Sequence, residues 1–214
     1  MDFGGGYFRA LVLVLISMGF GCAPDRAPSS LADLAEHIES SGSITFRRDM
    51  DIDPRALFEL YGTLFDLPPN TTMRLVEDKV AANGDAQLRF QQFHRGIEVE
   101  GADFRVVARK NRALSASGQL AHEFAPKEST PRLSEERAWE IVRARMAVDE
   151  QFSATITRPQ GALVFAEVAQ ASHTPIHRVL AWRFDTYVQP ITQSRRVYVD
   201  ALHGRIVKET RLKA

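Results

Sequence analysis

The chain has 214 residues, 44% hydrophobic and 25% charged, which suits one large domain or two small ones with ordinary cores. Lys and Arg number 27, as do Asp and Glu, so the formal net charge is zero. No basic stripe points to nucleic acid and no acidic tail to a solvated arm.

The first residues read as an export signal. Ala10–Met18 reads ALVLVLISM and follows Arg9. This run falls short of the roughly 20 apolar residues that a membrane-spanning helix needs and has the length of a signal-peptide core. Gly19-Phe20-Gly21 supplies small residues ahead of Cys22, the only cysteine. A lone cysteine cannot form an internal disulfide. Its setting resembles a bacterial lipobox, with Gly19 where that pattern prefers Leu. The resemblance implies a signal peptide over 1–21 and a lipidated Cys22 that anchors the protein in the cell envelope. The other reading is a secreted or periplasmic protein cut near Gly21, with an incidental thiol.

Residues 22–42 then carry the anchor and a tether, opened by the polar, Pro-rich Ala23–Ser30. Leu31, Leu34, Ala35 and Ile38 recur with a helical period. Asp53 caps a second predicted helix with Pro54 in its first position. Leu57, Leu60, Tyr61 and Leu64 would be its buried face, and Pro68-Pro69 ends it. The pattern changes to strands at Met73–Ala81, followed by a turn at Asn83-Gly84-Asp85. In Gln87–His94, Leu88, Phe90 and Gln92 share one face and Arg89, Gln91 and Phe93 the other. Arg95-Gly96 and Lys110-Asn111-Arg112 are turn signals around the strand Phe104–Ala108, and Ala113–Gly118 returns. The segment is a meander.

Glu123–Pro131 is polar and reads as a linker. Ser134 caps the clearest helix; Arg137 stands where a capping box has Glu or Gln, and Glu135 and Glu136 suit the helix dipole. Ala138, Ile141, Val142 and Met146 make its apolar face, with Trp139 at the edge. Strands follow at Ala154–Thr157, Ala162–Val168, Val179–Val188, Arg195–Asp200 and Arg205–Thr210, the last after a turn at His203-Gly204. The fold class is α+β, with helices laid on antiparallel sheet.

Two stretches resemble the propeptide of thermolysin- and fungalysin-type metallopeptidases. Leu88–Gly118 resembles the fungalysin/thermolysin propeptide motif through Arg89-Phe90-Gln91-Gln92, the Arg95-Gly96 turn, Val99, Gly101 and the return strand ending at Gly118. Glu98 stands where the family usually has Pro, and Asn111-Arg112 where it usually has Gly. Leu133–Thr210 resembles a PepSY module through LSEERAWEIV, Leu180-Ala181-Trp182-Arg183 and the closing VYVDALHGRIVKE. The resemblance implies a propeptide module over 43–122 and a PepSY module over 132–211, each a helix on antiparallel sheet of cystatin-like or PepSY-like form. In that family the propeptide assists folding of an attached zinc peptidase and blocks it until maturation. This sequence ends at Ala214, about where the peptidase would begin, so a free-standing protein is expected.

Catalytic patterns are missing. A zincin needs His-Glu-x-x-His on a helix. In His122-Glu123-Phe124-Ala125-Pro126 the second His is replaced by Pro126. His173 and His177 have metal-pair spacing, but Pro175 forbids the helix that would align them. His37, His94 and His203 are scattered, and no Ser occupies a nucleophile elbow. Glu98 and Glu100 share a strand face; the alternative of a functional acid pair stands beside the favoured reading, a solvated edge. Trp182 alternates with Leu180 and Phe184, a core position. No enzyme activity, metal, cofactor or nucleic acid is therefore expected.

The expected role is binding. The resemblance implies a secreted thermolysin-type metallopeptidase as partner, bound in trans for inhibition, assisted folding or both. The alternative is a membrane-tethered scaffold with a non-peptidase partner. Candidate contact residues are Arg89, Gln91, Phe93, Glu98 and Glu100 on the meander, and Glu209 and Arg211 in the C-terminal segment.

Overall fold

The structure, a computed structural model, describes residues 27–122, 124, 126–147, 158–168, 177–187 and 194–212. Cys22, the expected signal peptide over 1–21, His173 and the expected strand Ala154–Thr157 lie outside the described residues.

The elements are α1 (Leu31–Leu34), β1 (Ala35–Ile38), β2 (Ile44–Phe46), α2 (Leu57–Tyr61) with a 3-10 turn over Gly62–Phe65, β3 (Thr71–Val80), β4 (Ala86–His94), β5 (Ile97–Arg109), β6 (Arg112–Gly118), α3 (Glu135–Ala147), β7 (Ala162–Val168), β8 (His177–Thr186), β9 (Arg195–Asp200) and β10 (Ile206–Arg211). This is an α+β fold dominated by strands. One sheet runs β1-β2-β6-β5-β7-β8-β9-β10, with β4 on β5 and β3 on β4.

Turn chemistry sets the meander. Arg95 and Gly96 have φ of 49° and 82°, and Lys110 and Asn111 have 50° and 59°. Two successive positive φ angles make the tight hairpin connection that matches strand twist. Leu88, Phe90, Phe104 and Val106 then point to one side, where Phe46, Leu57 and Phe65 meet them. Phe58 sits 4.7 Å from Phe65 and 5.0 Å from Phe90, ring centre to ring centre.

Two expected helices are shorter than their sequence patterns. The first stops at Leu34, and Ala35–Ile38 pairs antiparallel with β2 instead. A single turn is too short to hold itself, and burial of Leu34 completes its contribution to the core. The second begins at Leu57, because the Asp53 carboxylate accepts the Arg55 N–H at 2.9 Å in a local turn. It tightens to three residues per turn after Tyr61, which moves burial onto Phe65 and leaves Leu60 61% exposed.

In the second half, the Ser134 hydroxyl accepts the Arg137 N–H at 3.3 Å and caps α3. Ala138, Trp139, Val142 and Met146 bury against Phe184, Val197 and Val199 of β8 and β9. Trp139 is thus in the core rather than at its edge. Trp182 is half-buried, and its indole N–H donates to the Leu133 carbonyl at 2.8 Å. No helix among the described residues is long and apolar enough to cross a membrane.

Candidate functional site

β5 is where the two halves join. Along one edge it pairs with β4. Along the other, residues 104–109 pair with β6, while Glu98 and Val99 pair in parallel with Val164 and Phe165 of β7. One strand therefore serves a sheet partner from each half.

This sharing requires a bulge. Gln91 faces Asp103 and Phe93 faces Glu98, so β4 advances two positions while β5 spans five. Residues 99–102 are displaced from the ladder, with Gly101 at φ 73°. The Gln91 amide fills the gap, donating to the Val99 carbonyl at 2.7 Å and the Ala102 carbonyl at 3.0 Å. Beside it, the Gln92 amide accepts the Ala121 N–H at 2.8 Å and donates to the Ala121 carbonyl at 3.1 Å. Gln91 is only 7% exposed, so although it is a candidate contact residue its amide is turned into the protein. The displaced backbone has polar groups that need partners, and Gln91 turns inward to meet them.

Glu98 and Glu100 form no solvated edge either. Glu98 holds Arg183 through two hydrogen bonds of 2.9 and 3.1 Å. One oxygen of Glu100 accepts the Tyr198 hydroxyl, and the other accepts Lys208 at 3.2 Å. Lys208 also lies 5.0 Å from the centre of the Tyr198 ring. Next to this cluster Asp185 and Arg196 pair at 2.6 and 2.7 Å. Burial, and then the bond to Glu100, push the Tyr198 phenol well above its ordinary range. Bonding from Arg196 holds the Asp185 carboxyl below its own. Both Glu100 oxygens are engaged and the phenol stays protonated, so the cluster fastens β5 to β8, β9 and β10.

The remaining candidates separate. Arg89 bonds Glu77 at 3.2 Å, and the Arg74 guanidinium lies 4.4 Å above the half-buried Phe93 ring, so these two do share an outer face. Glu209 links Arg195 at 3.3 Å to Arg145 at 3.2 Å, tying β10 to α3. Arg211 is exposed at the end of β10. His122 lies 3.2 Å from the Asp66 carbonyl, and His177 is exposed at the start of β8. Among the described residues no three His, Cys, Asp or Glu side chains are placed to hold a metal.

Sequence reading missed the open edge of β3. Among the described strands it pairs with β4 alone, and it exposes Leu75, Val76 and Val80. Beside it a groove of about 690 Å³ is lined by Phe58, Leu60, Leu67, Met73 and Leu75. The signal was available: Leu75-Val76 breaks the alternation, and the structure places a bulge between Leu75 and Glu77.

Comparison with known proteins gives a partial likeness. No curated protein matches the chain. Among solved structures, the Bacillus megaterium YpeB C-terminal domain aligns at 15% identity over 80% of this chain and 72% of its own, with a TM-score of 0.39. The firmer result concerns β3 through β6: residues 71–120 match the Fungalysin/Thermolysin Propeptide Motif.

Proposed function

We propose that the protein is a non-catalytic, exported lipoprotein of two propeptide-like modules, 43–122 and 132–211, the second of PepSY type. It binds a secreted thermolysin-type zinc peptidase in trans, as inhibitor, folding chaperone or both. The match of residues 71–120 to the propeptide motif carries this reading. The bonding of Gln91, Glu98 and Glu100 supports it, since these polar groups are committed to structure.

A protein that binds the native peptidase better than its unfolded chain shifts folding by mass action. If it binds the folding transition state best, it also speeds folding. The surface suited to that contact is the open edge of β3 with the groove beside it, where Phe58, Leu60 and Met73 stand among polar side chains such as Arg55, Glu59 and Thr72. An unpaired strand edge offers a row of backbone donors and acceptors to an extended segment.

The test is co-refolding of a denatured thermolysin-type peptidase with the mature protein, with inhibition of the native enzyme assayed in parallel. Recovered activity above the unassisted level, or inhibition at micromolar concentration, is expected. Neither effect, with a non-peptidase partner recovered from envelope extract instead, replaces this reading with the tethered scaffold.

A further inference from the structure

Two grooves meet where the described chain enters the fold. One, of about 610 Å³, is lined by Ala27, Pro28 and Ser29 together with Arg47, Asp49 and Met50. The other, of about 910 Å³, runs from Arg47 and Arg48 to the β5–β6 turn, where Lys110 and Arg112 stand. The segment from Arg47 to Asp51 borders both.

Pairing decides which charges there are available. Arg47 is held by Asp49 at 2.6 Å, and Arg109 by Asp85 at 2.6 Å, so these two cations are largely neutralised. Arg48 is different: its side chain is 88% exposed and stands 3.9 Å from Glu36. Lys110 is exposed at the tip of its turn. Arg112 donates from one guanidinium nitrogen to the Arg48 carbonyl at 3.0 Å, and all three cations border the same groove. Asp51 lines the same groove and Glu36 pairs with Arg48, and these two carboxylates offset part of the charge of the three cations. The excess is positive.

Chain length selects the occupant. Ala27 is five positions after Cys22. Five residues span at most about 18 Å when fully extended. An acylated Cys22 would hold this end of the protein within that reach of a bilayer surface.

We propose that Arg48, Lys110 and Arg112 rest on the anionic phospholipid headgroups of the bilayer that holds the Cys22 anchor. This rests on the reading of Cys22 as lipidated. The contact orients the protein on its tether. The β5–β6 turn and the Arg47–Asp51 loop that follows β2 then face the membrane. Three cations alone bind a surface weakly; the anchor raises their local concentration, and they set which end faces down.

The experiment uses the mature chain from residue 22 with Cys22→Ser, sedimented with phosphatidylcholine vesicles with and without phosphatidylglycerol. Binding only to the phosphatidylglycerol vesicles, weakened by salt, is expected. Each cation near an anionic surface contributes roughly fivefold, so R48Q/K110Q/R112Q is expected to lower partitioning on the order of 100-fold. Equal partitioning of the two proteins overturns the proposal. A second variant guards against misfolding: Lys110→Cys in the Cys22→Ser background, carrying an environment-sensitive fluorophore. Its emission rises on phosphatidylglycerol vesicles if the turn meets the surface, and an unchanged emission overturns the contact. The anchor is tested separately by palmitate labelling of the full chain. An unlabelled Cys22 overturns the choice of bilayer whatever the vesicles show, whereas equal binding of the triple variant overturns the role of the cations with the anchor intact.

Discussion

Glu98 and Arg183 meet across β7 through two hydrogen bonds of 2.9 and 3.1 Å, although 85 positions separate them in the chain. Their side chains are 27% and 19% exposed, so the pair is partly withdrawn from solvent. Losing one partner leaves the other charge poorly solvated. Glu98→Gln and Arg183→Met are each expected to destabilise the protein. A double-mutant cycle by urea unfolding should return a coupling energy of about 1–3 kcal/mol. Coupling near zero would remove this pair as a fastener of the two halves.

Gln91 is a structural residue on the same logic. Gln91→Ala leaves the Val99 and Ala102 carbonyls of the bulge without their donor. A buried unsatisfied group costs about 1–3 kcal/mol, so a loss of about 2–3 kcal/mol is expected. For a chain of this size the melting temperature should fall by roughly 5–10 °C. Gln91→Glu keeps the volume but presents only acceptors, and should be as damaging. A tolerated Gln91→Glu would contradict the bulge-filling role.

Much of this arrangement was legible in the sequence, within limits set by distance along the chain. The turns at Arg95-Gly96 and Lys110-Asn111, the inward set Leu88, Phe90 and Gln92, and the limits of β7 and β9 follow from local signals. Alternation failed at Gln91 because a bulge on the neighbouring strand changed what that face must satisfy. It could not place Glu98 and Glu100, whose partners Arg183, Tyr198 and Lys208 come from strands β8 to β10. The pattern in Leu31–Ile38 fits a helix, and pairing with β2 overrode it.

Two glycines can be ranked. A Cβ on Gly118, at φ 153°, would approach the Asp103 carbonyl and stand 2.7 Å from the Phe104 Cα, both backbone atoms. A Cβ on Gly101, at φ 73°, would stand 2.8 Å from a Glu167 carboxylate oxygen, the end of a flexible side chain. Gly118→Ala must move a strand and is expected to cost about 3 kcal/mol. Gly101→Ala displaces Glu167 from Arg178 and adds backbone strain, about 1–2 kcal/mol. Thermal melts of both variants check the order; a milder Gly118→Ala would refute it.

His94 gives the junction a pH dependence. Its ring is buried, 5.5 Å from Phe124 and 6.0 Å from Phe165, with Thr71 Oγ1 3.3 Å from Nδ1. Burial, and then the Arg95 charge, lower its pKa from the ordinary 6.5. The folded state therefore disfavours the imidazolium. Its contribution is fully present above pH 6.5 and is lost as pH falls from there towards the folded-state value. Asp85, Asp185 and Asp200 are also shifted down, and they act in a separate window, as pH falls through their ordinary 3.8. Stability measured by urea unfolding should decline from about pH 7 to 5 in the wild type, and His94→Gln should flatten that decline. An unchanged slope in the variant would assign the effect elsewhere.

The open edge of β3 makes the proposed partner contact separable from folding. Val76 and Val80 are 44% and 75% exposed, and neither belongs to a buried cluster. Surface substitutions away from packed or bonded features usually change stability by less than about 0.5 kcal/mol. Val76→Lys and Val80→Lys should thus melt like the wild type. At an interface, however, each would bury an ammonium with no partner supplied, and a charge on an edge opposes pairing with another strand. Inhibition of a thermolysin-type peptidase should weaken tenfold or more in the double variant if the edge receives a segment of the enzyme, a change of about 1.4 kcal/mol. Undiminished inhibition, with folding intact, would move the contact away from β3 and leave the Arg89 and Phe93 face or Arg211 as the surface to test next.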